Sequence, residues 1–271
     1  MRIKYLGTGA SEGWPAVFCH CEACRAARRL GGKNLRRRHA AVLDGRLLFD
    51  MPPDLYAQSL SLGIDLSQIR DFVITHAHED HFYAHELANF AAPFAHIPDG
   101  TVNTLYGSCT VAGVASEALA GGNPNSSLRL MEVTAWKPFK AAGFLLTPLP
   151  AAHGAGVSFI YLVEGFGKTL LYAHDTGWLR DDVWEYLKGR RLDYVSMDAT
   201  SIIGERYESH MTLDENIAMK QRLLEIGAAD GDTVFVSSHF SHNGLLLHHE
   251  IEQRLAPHGI LAAFDGFEAE L

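Results

Sequence analysis

Short apolar runs, punctuated by glycine, proline and polar clusters, recur along the chain, and each reads as a buried strand or a short helix. Ile3 to Leu6 is the first, running into Gly7-Thr8-Gly9, which reads as a flexible turn. Ala40 to Leu43 and Leu47 to Asp50 flank Asp44-Gly45, a strong hairpin signal. Leu55 to Leu62 reads as a helix, Asp71 to Thr75 as a strand and Glu86 to Phe94 as a second helix. Thr104 to Tyr106 and Leu128 to Val133 are strands with a short helix between them. Phe144 to Leu149, Phe159 to Glu164 and Thr169 to Ala173 add three strands, the last two joined by the tight turn Gly165-Phe166-Gly167. Val183 to Leu187 is helical and Tyr194 to Met197 a strand. Thr212-Leu213-Asp214-Glu215 is a capping box opening a helix that ends at Gly227. Thr233 to Ser237 is an apolar strand, and Leu245 to Leu255 the final helix.

Strand clusters with interspersed helices in both halves predict an α/β chain in which two sheets pack together with helices outside. No repeat, low-complexity segment or linker divides the chain, so residues 1–271 are expected to form one domain.

Composition narrows the setting. Hydrophobic content of 47% and charged content of 20% describe an ordinary globular protein. A net charge of -9 disfavours a general nucleic-acid surface. No apolar run is long enough to span a bilayer, and the N-terminus lacks the apolar core of a signal peptide, so a cytoplasmic location is expected. The 15 histidines exceed what a core or surface needs, and metal binding is their common explanation.

The densest of them follow Phe72-Val73-Ile74, in Thr75-His76-Ala77-His78-Glu79-Asp80-His81. His76 and His78 are two apart, so an extended backbone projects them to one side. Asp80 and His81 are adjacent and cannot both point there. Two metal ions side by side use all four, with His76 and His78 on one and Asp80 and His81 on the other. Further ligands are sought directly after apolar strands, where His153, Asp175 and His239 stand. Asp175 could bridge both ions. A pair of divalent ions about 3.5–4 Å apart can share a water, lower its pKa and clamp phosphoryl or carbonyl oxygens. His and Asp ligands without thiolate suit Zn²⁺, Mn²⁺ or Fe, and hydrolysis is the expected reaction. His210, on a loop before the capped helix, is a candidate general acid. It and Asp80 are the candidate catalytic groups.

Cys19, Cys21 and Cys24 form a second cluster one ligand short of a closed zinc site. His242, three residues beyond His239, is the preferred fourth ligand, and His20 ranks lower. Such a site is structural, because a closed shell leaves no position for substrate. Arg36 to Arg38 reads as a solvated edge, with a contact to an anionic substrate as its functional alternative. His85, His96, His174, His248 and His249 are expected not to be ligands, the last two exposed on the final helix. Met197 and Phe235 read as core.

Thr75-His76-x-His78-x-Asp80-His81 with His153, Asp175 and His239 resembles the metallo-β-lactamase-fold hydrolases across nearly the whole chain. Gly7-Thr8-Gly9, the cluster Cys19, Cys21, Cys24, and His239-x-x-His242 together look like the phosphoribosyl 1,2-cyclic phosphate phosphodiesterases of the bacterial phosphonate (carbon–phosphorus lyase) pathway. The resemblance implies an αββα sandwich carrying a small cysteine lobe at about 17–38, a dinuclear Mn²⁺ or Zn²⁺ site bridged by Asp175, and a structural Zn²⁺ on Cys19, Cys21, Cys24 and His242. It also implies a catalytic His210 near the leaving group. Ala84 stands where the superfamily motif commonly has glycine, and His174 where a small residue is usual. The expected partner is a small phosphorylated substrate, with no membrane, nucleic acid disfavoured and homodimerisation left open. A tRNA 3′-processing endonuclease is the alternative enzyme, and a non-catalytic metal-binding protein the remaining class.

Overall fold

The computed structural model describes residues 1–120, 127–204 and 208–271. Its strands are β1 (Arg2–Gly7), β2 (Ala40–Leu43), β3 (Leu47–Phe49), β4 (Asp71–Val73), β5 (Asn103–Gly107), β6 (Leu128–Glu132), β7 (Phe139–Ala141), β8 (Phe144–Pro150), β9 (Phe159–Gly165), β10 (Lys168–Ala173), β11 (Tyr194–Asp198), β12 (Val234–Ser238), β13 (Ile260–Ala262) and β14 (Glu268–Glu270). They form two seven-stranded sheets, ordered β14-β1-β2-β3-β4-β5-β6 and β13-β12-β11-β10-β9-β8-β7. The helices are α1 (Glu22–Leu30), α2 (Leu55–Leu62), α3 (Cys109–Leu119), α4 (Asp181–Leu187), α5 (Leu213–Glu225) and α6 (His248–Leu255).

Side-chain alternation explains why these strands read as continuous apolar runs. Leu47 and Phe49 of β3 face the space between the sheets, while Leu48 faces outward under α2 and α3. In the second sheet Leu170 and Tyr172 point inward, and Leu171 and Ala173 outward under a helical layer that includes α4, α5 and α6. Both faces of each sheet are therefore covered, so both strand registers are apolar. The result is an αββα sandwich. Phe49 stacks on Tyr172 across the inner layer, with ring centroids 4.3 Å apart. Cutting Phe49 back to alanine there would cost about 3–5 kcal/mol.

One stretch of each sheet runs parallel: β3 to β6 in the first, and β10 to β13 in the second. Parallel strands end on the same edge, and the loops leaving β3, β4, β8, β10, β11 and β12 carry the chemistry. The chain turns hard at these exits. Asp50, Asp175 and His239 have φ of +48 to +64°, a left-handed conformation that non-glycine residues reach only under local constraint.

Several elements depart from the sequence reading. Residues 86–94 give no α-helix; a 3₁₀ segment covers Ala84–Phe90. The last helix begins at His248 because Leu245 is left-handed after a 3₁₀ turn at His242–Gly244. Helix α1 and strands β7 and β14 had no apolar run to announce them, and β13, within the apolar run Ile260 to Phe264, was not assigned. The turn at Gly7 is a tight packing point, not a flexible one: a Cβ there would lie 1.9 Å from the Arg38 carbonyl oxygen. No helix among the described residues is long and apolar enough to cross a membrane.

Candidate metal centre

His76, His78, His81 and Asp80 arrive on the loop after β4, His153 after β8, Asp175 after β10 and His239 after β12, and the fold gathers them at one sheet edge. His76 Nε2 lies 3.1 Å from His78 Nδ1, which lies 3.2 Å from His153 Nε2. His81 Nε2 lies 3.0 Å from His239 Nε2 and 3.4 Å from Asp80 Oδ2. Asp175 sits between these groups: Oδ2 is 2.6 Å from His81 Nε2 and 3.0 Å from His239 Nε2, and Oδ1 is 3.9 Å from His153 Nε2. One cluster thus offers His76, His78 and His153, a second Asp80, His81 and His239, with Asp175 against both.

The outer ring nitrogens decide what the inner ones can do. His81 Nδ1 donates to Asp50 Oδ2 at 2.8 Å. Thr75 Oγ1 gives its proton to Asp50 at 2.9 Å, so it accepts from His76 Nδ1 at 3.0 Å. The same relay recurs in the second sheet: Thr200 Oγ1 donates to Asp198 Oδ2 at 2.9 Å and accepts from His239 Nδ1 at 2.6 Å. His153 Nδ1 faces the Ser209 carbonyl oxygen at 3.3 Å, which can only accept. The Nε2 atoms of His76, His81, His153 and His239 are thereby left as lone pairs facing one another. Asp175 Oδ2, fully buried, receives no well-formed hydrogen bond.

Lone pairs cannot bond to lone pairs, so this arrangement calls for a cation. Tetrahedral nitrogen ligands at roughly 2.05 Å from an ion sit about 3.3 Å apart, close to the spacing here. The residues therefore fit a pair of divalent ions, one per cluster, with Asp175 shared. Electrostatics agree. Burial holds His76 and His153 below the usual imidazole range, in the neutral form a ligand needs. Burial works the same way on His81 and His239, but Asp175, with other carboxylates nearby, outweighs it and raises both. Without metal a proton must take the ion's place.

His210 occupies the rim. Its Nδ1 is 3.4 Å from Asp198 Oδ2 and 3.6 Å from Asp175 Oδ1. Burial disfavours its charged form, yet the hydrogen bond and charge of Asp198 prevail and raise its pKa to about 9. Gly177 makes this approach possible, since a Cβ there would meet the Glu208 carbonyl oxygen at 2.0 Å. Asp80, the other candidate catalytic group, sits among the donors.

The cysteine lobe forms a separate cluster. Cys19 Sγ and Cys21 Sγ each lie 3.6 Å from His242 Nδ1, and Cys24 completes the group of four. A tetrahedral shell with bonds of roughly 2.3 Å to sulfur and 2.05 Å to nitrogen has an S···N edge of about 3.5 Å, so these residues fit zinc. Cys21 also caps α1, its sulfur accepting from Cys24 N. His20 is exposed and outside the group.

Three readings from sequence need correction. Arg36 is buried, not a solvated edge: Nη1 donates to Thr8 Oγ1 and the Ala263 carbonyl, and the guanidinium stacks 4.3 Å from the Phe240 ring. Arg37 and Arg38 pair with Asp265 and Asp54. His248 is likewise buried, against Arg36 Nη2 at 2.8 Å. Asp50 and Asp198, which orient the ligands, were not singled out. Each follows an apolar strand just as Asp175 does, and that was their signal. His39 and His174 lie beneath the ligands with tilted rings whose centroids are 4.1 Å apart, kept neutral by burial.

Against known proteins, a profile of the beta-lactamase superfamily domain matches residues 45–229. The chain belongs to the β-lactamase superfamily. Within it, the architecture is that of the metallo-β-lactamase-fold hydrolases. A crystal structure described as a new diphosphatase from the PhnP family is 25% identical, with a TM-score of 0.79, covering 100% of this chain and 97% of that one. The short form of human tRNase Z is 17% identical, with a TM-score of 0.66, covering 100% and 99%, a likeness of fold alone. A Porphyromonas gingivalis (strain ATCC BAA-308 / W83) protein named octanoyltransferase is 30% identical over 285 aligned positions, which span 99% of this chain. The chain spans about half of that relative, 51% of its length.

Proposed function

We propose that the protein is a metal-dependent phosphodiesterase that opens a cyclic phosphate ester of a ribose-type small molecule. The observation that carries this is the set of inward-facing lone pairs around Asp175, with His210 at the rim against Asp198. Two divalent ions held by those donors would supply Lewis acidity and a water of lowered pKa. The chain's own residues do the rest. Asp50 and Asp198 hold the imidazoles in the tautomer that binds metal, and His210 donates a proton to the departing alkoxide. Likeness to a diphosphatase supports phosphoryl chemistry and leaves the phosphate linkage to be tested. The proposal includes a structural zinc in the cysteine lobe, a single domain, a small phosphorylated substrate and a cytoplasmic setting. Phosphonate breakdown is the context suggested by the sequence resemblance. Octanoyl transfer belongs to a relative about twice as long and has no part in this reading.

Steady-state assays with a ribose 1,2-cyclic phosphate, a nucleoside diphosphate and bis(p-nitrophenyl) phosphate, before and after chelation, test it. Metal-dependent opening of the cyclic ester is the expected result. Faster cleavage of the diphosphate would redirect the reading to anhydride hydrolysis, and no metal-dependent turnover of any of them would sink it. The endonuclease alternative draws on the likeness to tRNase Z in fold, while the net charge of -9 opposes it. A salt-dependent gel shift with tRNA separates the two.

A further inference from the structure

A cleft of about 330 Å³ opens beside His210, between the loop after β11 and the turn after β12. Thr200, Ser201 and Ile203 form one wall, Ser241 and Asn243 the other. The walls are fixed to each other: a Cβ on Gly244 would lie 2.4 Å from Ile202 Cβ, so the turn packs directly on the loop. Behind the turn, Ser241 Oγ donates to Glu12, and His242 belongs to the cysteine cluster.

The lining states what the cleft can recognise. Thr200 Oγ1 is used by Asp198 and His239, and Ser241 Oγ by Glu12. The Ser201 hydroxyl and the Asn243 side-chain amide make no hydrogen bond among the described residues, and both border the cleft. Among the described residues, no Asp, Glu, Lys or Arg lines it. The opening on the other side of the metal donors is different, for Arg38, Glu79 and Asp80 border it. Ser201 and Asn243, with unused donors and acceptors and no charged neighbour among the described lining residues, suit a neutral, hydroxyl-rich group. The volume is at the lower end for small-molecule sites, about 300–1,000 Å³, and suits one sugar ring.

We infer that this cleft is the sugar subsite, in which Ser201 and Asn243 hydrogen-bond the hydroxyls of the leaving group while His210 faces its departing oxygen. The inference rests on the phosphodiesterase reading and adds to it the residues that choose the substrate. It also gives the cysteine lobe a second role, backing the turn that presents Asn243.

The test is binding of α-D-ribose 1-phosphate and of inorganic phosphate to the metal-loaded protein by calorimetry, in wild type, Asn243→Ala and Ser201→Ala. Wild type should prefer the sugar phosphate by about tenfold, and Asn243→Ala should lose about fivefold of that preference, the worth of one hydrogen bond. Ser201→Ala should lose a smaller share. An undiminished preference in both variants, or none in wild type, overturns the inference. Turnover of bis(p-nitrophenyl) phosphate by wild type, a diester with no hydroxyls, reports on the chemistry alone. Absence of metal-dependent turnover of this diester and of the ribose cyclic phosphate alike, with the sugar preference intact, removes the phosphodiesterase reading and leaves the subsite standing.

Discussion

The two candidate metal clusters are built on opposite plans. The histidine–carboxylate centre draws one or a few donors from each of four strand ends, with β4 in one sheet and β8, β10 and β12 in the other. Its geometry is therefore a property of the whole sandwich. The cysteine lobe takes three donors from six consecutive residues and only His242 from afar. In the first, hydrogen bonds to the outer ring nitrogens fix the tautomers of His76, His81, His153 and His239, so these donors remain poised without metal. In the second, Arg28 binds the Cys19 and Ala16 carbonyls and α1 packs on the core, so a metal would add a clamp to a loop that is already anchored. The first plan suits catalysis, which needs preorganised groups, and the second suits a staple.

The contrast is broken most severely at Asp175, the one carboxylate against both ion positions. Asp175→Ala should lower kcat/KM on a phosphodiester by more than about 10³-fold, since it removes the shared ligand of a two-metal site. Metal analysis should find one zinc retained of an expected three ions. If the cysteine-bound zinc were lost as well, the independence of the two regions would be wrong.

His210→Ala tests the rim, with an expected loss of about 10²–10³-fold in kcat. The pH profile carries the sign. The pKa of His210 is raised to about 9, so the proton-donating form prevails at neutral pH and is lost as pH rises through that value. Wild-type activity should fall on the alkaline side, at or below about pH 9 because bound cations pull the value down. The variant should lack that limb, and a variant that keeps it assigns the proton to another group.

What sequence alone conveyed follows the same division. The dense His76 to His81 run was legible because its donors are adjacent, and His153, Asp175 and His239 because each follows an apolar strand. Asp50 and Asp198 obey the same rule but went unread, since a carboxylate that hydrogen-bonds a ligand looks no different from one that ends a strand. Arg36 was misread because three consecutive arginines give no sign of which is buried. Its place under His248 and Phe240 depends on contacts across the chain. Strands β13 and β14 were missed because each is three residues long and edge-lying, set by pairing with a neighbour more than by its own pattern.

Asp50 offers a finer cut. Asp50→Asn keeps the shape but can offer His81 Nδ1 and Thr75 one acceptor fewer, loosening the tautomers of His81 and His76. Affinity of the histidine centre for Zn²⁺ should drop about 10–100-fold, while the cysteine lobe is untouched. Competition with a chromophoric chelator reads both constants in one titration. Equal weakening at both sites would mean that Asp50 supports the fold and not the ligands.

The smallest effect on turnover belongs to the cysteine lobe. Cys24 is buried at the base of α1, and burial pushes its thiol up to about 12. Only a cation would make so reluctant a thiol ionise, so metal and lobe are thermodynamically linked. Cys24→Ser should release that zinc and lower the melting midpoint by more than about 5 °C, given roughly 2–4 °C per kcal/mol in a chain of this size. In the folded fraction, kcat on bis(p-nitrophenyl) phosphate should stay within about threefold, because no lobe residue touches the donors around Asp175. A loss of kcat as large as that of His210→Ala, with the midpoint unchanged, would make the lobe part of the chemistry and erase the contrast between the two plans.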